Sequence, residues 1–126
     1  MAKKALLDAD LRLGEKILES LDAAKFPISA AIWILTDEDG WELVIGSPTY
    51  ETSGPNDAHR KLITALRKDD PESMDFRDVR LMGNDNPFIR ELRRLFGKTA
   101  SVMGMRLGGH RIGGLWLDDA VVYRIK

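Results

Sequence analysis

The chain has 126 residues, of which 44% are hydrophobic and 31% charged, and its formal net charge is −1. This length predicts a single domain, residues 1–126, that buries a core of its own. Cysteine is absent, which excludes disulfides, thiol catalysis and cysteine-bound zinc. No segment approaches the roughly 20 apolar residues that span a bilayer, and no signal-peptide core follows the N-terminus. We therefore predict a cytoplasmic protein with no membrane partner, no metal site and no cofactor.

Residues 5–25 have the apolar spacing of an amphipathic helix. Gly14 falls inside the apolar arc and predicts close approach by a neighbouring element. Asp10 lies in the same arc. We interpret it as an N-cap of a helix that begins later, because aspartate is strongly preferred there; the alternative is a partly buried functional carboxylate.

Two apolar runs across residues 30–47 flank the turn Asp37-Glu38-Asp39-Gly40 and predict a β-hairpin. The first run, residues 30–35, is apolar on both faces, as in a strand that is covered from both sides. Helices on both faces or a second copy of the chain would supply that cover. The acidic turn is interpreted as solvated, because it lacks the dozen-residue ligand pattern of a calcium loop.

Pro55 predicts the start of a second helix, and His59 falls within its apolar stripe, which favours a core histidine. Residues 76–82 are predicted to form a strand with interleaved arginines. Asn86 and Pro87 are typical of a helix start. The third helix then has its apolar stripe on one side and its arginines on the other.

The remainder predicts a three-stranded meander over residues 99–107, 110–117 and 120–125, with turns at Gly108-Gly109 and Asp118-Asp119. The predicted order is α-β-β-α-β-α-β-β-β. This order indicates an α+β domain in which three helices pack on a mainly antiparallel sheet of five to six strands.

Positive charge is concentrated in residues 86–111, where six cations accompany one carboxylate, Glu91. The six are Arg90, Arg93, Arg94, Lys98, Arg106 and Arg111. Arginines beside glycine-rich backbone can cradle a phosphate, and clustered cations can bind a nucleic-acid backbone. Against nucleic acid stands the pI of about 6.1, which is low for such proteins.

Catalysis would need a base or nucleophile with an orienting partner. The residues to test first are Asp10, His59, Arg106 and His110, but their spacing reveals no partner. The three tryptophans, Trp33, Trp41 and Trp116, all fall on predicted strands and are interface candidates, since aromatic side chains anchor interfaces as well as cores.

The sequence therefore favours a non-catalytic interaction or ligand-binding module that forms a homodimer, with a monomer as the alternative. A further protein is a candidate partner, and nucleic acid is a candidate that the sequence does not favour. A phosphate- or nucleic-acid-binding protein that uses the cations of residues 90–111 is the second hypothesis. An enzyme built on His59 or His110 is the third.

Overall fold

The computed structural model describes residue 6 and residues 8–36, 40–67, 79–99 and 102–126. Within these ranges the helices are α1 (Asp8–Ala23), α2 (Thr49–Ser53), α3 (Pro55–Arg67) and α4 (Pro87–Phe96). The strands are β1 (Ala30–Thr36), β2 (Gly40–Ser47), β3 (Val79–Gly83), β4 (His110–Ile112), β5 (Leu115–Leu117) and β6 (Asp119–Ile125). The acidic hairpin tip at 37–39 and the predicted strand start at 76–78 lie outside the described residues.

The main sheet has the strand order β3-β2-β1-β6 and is mixed. Strand β1 runs antiparallel to β2 and β6, whereas β2 and β3 are parallel. The α+β class is confirmed. The mainly antiparallel sheet of five to six strands with three helices is wrong in detail, because the described chain has four helices and a four-stranded mixed sheet. The helices α2 and α3 make the crossover between β2 and β3, and a crossover of this kind permits parallel pairing.

The predicted C-terminal meander is also corrected. The predicted strand 110–117 is itself a tight hairpin of β4 and β5, which pair apart from the main sheet. It turns at Gly113 and Gly114, whose φ angles are +56° and +83°, the two positive values that a tight hairpin turn requires. In the described part of 99–107, residues 104–107 run along β6 and make three backbone hydrogen bonds to residues 120–122, of 2.7, 2.9 and 3.3 Å. They form an isolated bridge, between Arg106 and Val121, rather than a regular strand.

The first helix differs from prediction at its start and agrees in its interior. Helix α1 begins no later than Asp8, so Asp10 lies inside the first turn and is not the N-cap. Gly14 does mark a close approach: a Cβ atom built on it would lie 2.3 Å from the hydroxyl of Tyr123 on β6. The expected contact is confirmed.

The sheet separates two hydrophobic cores. On one face, α1 and α3 pack against Ala31 and Trp33 of β1 to form the first core. On the other, α4 and the β4–β5 hairpin pack against Ile32 and Ile34 to form the second core. Both faces of β1 are therefore covered within one chain, as the apolar run predicted. None of the helices in the described ranges is long and apolar enough to cross a membrane.

Candidate binding surface

Helix α4 begins where the sequence predicts. The side chain of Asn86 accepts a hydrogen bond from the backbone N–H of Phe88 at 2.9 Å, and Pro87 occupies the first helical position. The side chains that pack into the second core lie on one side of α4. The arginines Arg90, Arg93 and Arg94 lie on the other side and are exposed.

The turn of the β4–β5 hairpin lies directly on the start of α4. A Cβ atom on Gly113 would be 2.4 Å from the carbonyl oxygen of Pro87 and 2.5 Å from the nitrogen of Phe88. Only glycine fits here, because the φ angle is positive as well. The contact brings the hairpin beside the arginines of α4.

Between α4 and this turn lies a groove of about 470 Å³, lined by Pro87, Arg90, Glu91, Arg94 and Gly113. On the hairpin, Arg111 pairs across the strands with Trp116. We call Arg90, Arg94, Arg111 and Trp116 together the hairpin–α4 surface. Trp116 is 45% exposed, and an exposed aromatic ring beside cations is typical of a binding surface.

Three side chains of this surface are held by hydrogen bonds. The indole Nε1 of Trp116 donates to Asp118 Oδ1 at 3.2 Å. The guanidinium of Arg111 donates to the carbonyl oxygen of Gly114 at 3.1 Å. Arg94 Nε donates to Glu91 Oε1 at 2.7 Å. Side chains that are already ordered lose less conformational freedom when a ligand binds.

The six predicted cations do not form one cluster. Arg106 makes an ion pair with Asp119 through two hydrogen bonds, and Arg93 Nε donates to the carbonyl oxygen of Lys126 at 2.9 Å. These two arginines are therefore engaged in contacts within the chain. Lys98 is exposed beyond the end of α4, and Arg90, Arg94 and Arg111 belong to the hairpin–α4 surface.

The histidines are placed apart, and the core interpretation of His59 is wrong. His59 is exposed on α3 because it lies at the border of the buried stripe, where Tyr50 is its ring neighbour at 6.3 Å between centroids. Its Nδ1 lies 2.8 Å from the carbonyl oxygen of Pro55. His110 Nδ1 lies 2.9 Å from the carbonyl oxygen of Gly108. Each ring thus contacts local backbone, and α3 and β4 lie on opposite faces of the sheet.

The three tryptophans have different environments. Trp33 is 4% exposed and belongs to the first core, and Trp41 packs partly buried against that core. Trp116 is the most exposed of the three, at 45%. No group of three or more carboxylates and histidines suited to a metal occurs among the described residues.

Sequence reasoning missed a crevice of about 580 Å³ lined by Tyr50, Glu51, Arg80, Asp85 and others. It lies where β2 and β3 end, and where α2 and α3 continue on one face and α4 on the other. Open sheets often bind ligands at such a position. Here, however, Glu51 Oε1 accepts from the backbone N–H of Asp85 at 2.9 Å, so this carboxylate holds the loop. Nothing in the sequence indicates this crevice, because the crevice depends on the parallel pairing of β2 and β3, which was not predicted.

Comparison of the chain with protein-family models, with curated proteins and with solved structures found no match. The chemistry of the described surfaces is therefore the guide to function. Among those predicted from the sequence, the hairpin–α4 surface combines exposed aromatic area, cations and preordered side chains.

Proposed function

We propose that the protein is a non-catalytic interaction module that binds an acidic segment of another protein on the hairpin–α4 surface. The observation that carries this proposal is that Trp116 is 45% exposed and stands across from Arg111. Both lie on the hairpin whose turn, at Gly113, lines the groove of Arg90 and Arg94. Tryptophan and arginine are the residue types that most often dominate binding energy at protein interfaces.

The charge of the groove favours a carboxylate-bearing ligand. Arg90 and Arg94 line it with a single carboxylate, Glu91, and Arg111 adds a third cation on the hairpin. Arginine binds carboxylates through paired, charge-assisted hydrogen bonds. An extended acidic segment could therefore place carboxylates in the groove and an apolar side chain against Trp116.

A homodimer stays a prediction of the sequence, but one reason to expect it no longer holds. It depended on an uncovered face of β1, and both faces are covered by this chain. A two-fold interface on the hairpin–α4 surface would also bring the same arginines of two copies together, which opposes association. Sedimentation equilibrium tests the dimer directly.

Nucleic acid is the less favoured occupant. Bases could stack on Trp116 and phosphates could contact the arginines. Yet Arg94 is already paired with Glu91, so the surface presents a short cationic patch, which suits a few carboxylates better than a long phosphate backbone. The low pI also argues against a nucleic-acid footprint.

Selection of a random-peptide display library on the full chain tests the proposal. We expect the selected peptides to be rich in aspartate and glutamate. Calorimetric affinity for such a peptide should fall about tenfold or more in Trp116→Ala and in the double variant Arg90→Gln/Arg94→Gln, since tenfold corresponds to one lost charged hydrogen bond. The matched control is Arg12→Gln/Arg67→Gln, which removes two exposed arginines from α1 and α3 and should leave affinity unchanged.

The proposal fails if no acidic peptide is enriched, or if the selected peptides bind Trp116→Ala as well as the unaltered chain. A labelled single-stranded oligonucleotide is titrated in parallel. Binding of the oligonucleotide that depends on Trp116 and weakens steeply with salt, without binding of acidic peptides, would replace the protein partner with a nucleic acid.

A further inference from the structure

A separate cavity of about 420 Å³ lies between the end of α1 and the helices α2 and α3. Three cations line it, Lys25, Arg60 and Lys61, and no carboxylate is among its described lining residues. It lies on the face of the sheet that carries the first core, whereas the hairpin–α4 surface lies on the face that carries the second core. We call this cavity the lysine pocket.

Four hydroxyl-bearing residues also line the lysine pocket: Thr49, Thr52, Ser53 and Thr64. The hydroxyl of Ser53 accepts a hydrogen bond from Lys61 Nζ at 3.1 Å, so it orients the ammonium group within the lining. Hydroxyls and cations together are the donors that bind the oxygens of a phosphate group.

The backbone of Lys25 has an unusual conformation for its residue type. Its φ angle is +59°, and no other described non-glycine residue has a positive φ. Lys25 follows the end of α1, where the N–H of Phe26 bonds to Leu21 at 2.9 Å and the N–H of Lys25 bonds to Asp22 at 3.0 Å. This helix ending usually has glycine at the position that Lys25 occupies. Glycine would adopt this φ without strain, so the helix ending does not itself require a lysine here.

One carboxylate offsets part of the positive charge. Asp57 lies 3.2 Å from Lys61 Nζ and 3.8 Å from the guanidinium of Arg60. Both cationic side chains are more than half exposed, so these ion pairs are weak and can rearrange when an anion binds. With Lys25, the lining keeps an excess of positive charge.

We infer that the lysine pocket binds a phosphate-type anion. The ligand is either free inorganic phosphate or the phosphate group of a larger molecule, whose body would contact Phe26 and Pro27 in the apolar part of the lining. This inference is independent of the proposed protein partner, since no residue is shared between the two sites.

Titration of the full chain with sodium phosphate at constant ionic strength tests the inference. We expect saturable binding by calorimetry, with amide chemical-shift changes at Lys25, Ser53 and Lys61. The variant Arg60→Gln/Lys61→Gln should weaken binding tenfold or more, while Arg12→Gln/Lys16→Gln, which alters two exposed cations of α1, should not. Phenyl phosphate distinguishes the two sources: tighter binding than that of inorganic phosphate indicates a larger ligand.

Lys25→Gly gives a second readout. Relief of the positive φ should raise the midpoint of urea unfolding, while loss of the ammonium group should weaken phosphate binding. A lysine with only a structural role would leave phosphate binding unchanged. The inference is overturned if chloride at equal ionic strength produces the same shifts, or if Lys25→Gly and Arg60→Gln/Lys61→Gln both bind phosphate like the unaltered chain.

Discussion

Trp33 donates its indole N–H to the hydroxyl of Tyr123 at 3.0 Å within the first core. The two residues lie on neighbouring strands, and Trp33 pairs with Val121, so Tyr123 is its diagonal neighbour. The hydroxyl of Tyr123 donates in turn to the carbonyl oxygen of Leu11 at 2.6 Å. This chain of hydrogen bonds ties α1 to the sheet.

Tyr123→Phe should therefore destabilise the protein, because it leaves the buried indole N–H of Trp33 without its acceptor and removes the link to the carbonyl oxygen of Leu11. The expected loss is about 1–3 kcal/mol in the free energy of unfolding, measured by urea denaturation. The control Tyr50→Phe alters a half-buried tyrosine outside this hydrogen-bond chain and should change stability by much less. Equal effects of the two changes would contradict a special role for this contact.

The same tyrosine predicts a dependence on alkaline pH. Burial raises the pKa of Tyr123 to about 12 from its ordinary value of 10.0. Because the folded state holds this proton more tightly than the unfolded state, the contribution is fully present below pH 10 and is lost as pH rises towards 12. The unfolding free energy of the unaltered chain should fall more steeply than that of Tyr123→Phe over this interval. Parallel curves would refute the assignment.

Gly14→Ala tests the close approach between α1 and β6, because the approach decides whether the change raises or lowers the free energy of unfolding. Helix propensity alone predicts a gain of about 1 kcal/mol for this change. The new methyl group would instead overlap the hydroxyl of Tyr123, 2.3 Å from the Cβ position, and overpacking costs about 1–3 kcal/mol. We expect a net loss in thermal and urea denaturation. Glu15→Ala, on the exposed side of α1, serves as control and should be nearly neutral.

Asp22 and Arg124 join the end of α1 to β6 through two hydrogen bonds of 2.9 and 2.8 Å. The hydrogen bonds from Arg124 lower the pKa of Asp22. Its contribution is therefore present above the ordinary aspartate pKa of about 3.9 and is lost as pH falls through the lowered value. Asp22→Asn should cost at most about 1 kcal/mol at neutral pH, since the pair is partly exposed. The difference in unfolding free energy between Asp22→Asn and the unaltered chain, measured from pH 7 to pH 2, should decrease towards zero at acid pH.

The hairpin turn offers a matched pair of glycines. Both Gly113 and Gly114 have positive φ, but a Cβ atom on Gly113 would meet the backbone of Pro87, whereas one on Gly114 meets nothing within 4 Å. Gly113→Ala should thus displace the hairpin from α4 and weaken peptide binding by Trp116. Gly114→Ala should show only the backbone strain, of order 1 kcal/mol, and retain binding. Equal loss of peptide affinity in both variants would contradict the docking role of Gly113.

Local signals predicted the elements whose neighbours are close in sequence. The cap Asn86 and the proline that follows it set the start of α4, and the two apolar runs around residues 30–47 set the β1–β2 hairpin. The contact at Gly14 was also predictable, because a glycine within an apolar arc implies a close neighbour. In each case the signal lies in a short stretch of chain, even where the contact itself, as between Gly14 and Tyr123, is distant in sequence.

The missed features depend on contacts that are distant in sequence. The alternation of Val79 to Gly83 is the same for parallel and antiparallel pairing, so the partner and direction of β3 were not determined by it. The turn at Gly113-Gly114 was missed because Gly108-Gly109 and Asp118-Asp119 offered competing two-residue turns nearby. The lysine pocket depends on how the end of α1 packs beside α2 and α3. The local sequence of each helix does not determine that packing.

The two faces of strand β1 contribute different side chains to the two hydrophobic cores. Ala31 and Trp33 contribute to the first core, and Ile32 and Ile34 to the second. A slip of one residue against β2 and β6 would exchange these two sets. Trp33 would then enter the second core, at a position that isoleucine fills, and would lose its hydrogen bond to Tyr123. An isoleucine would take its place in the first core, and isoleucine has no side-chain N–H to donate to the Tyr123 hydroxyl. A shift in register would therefore disrupt the packing of both cores at once. Because β1 pairs with β2 on one side and β6 on the other, its side chains fix the register of both neighbouring strands.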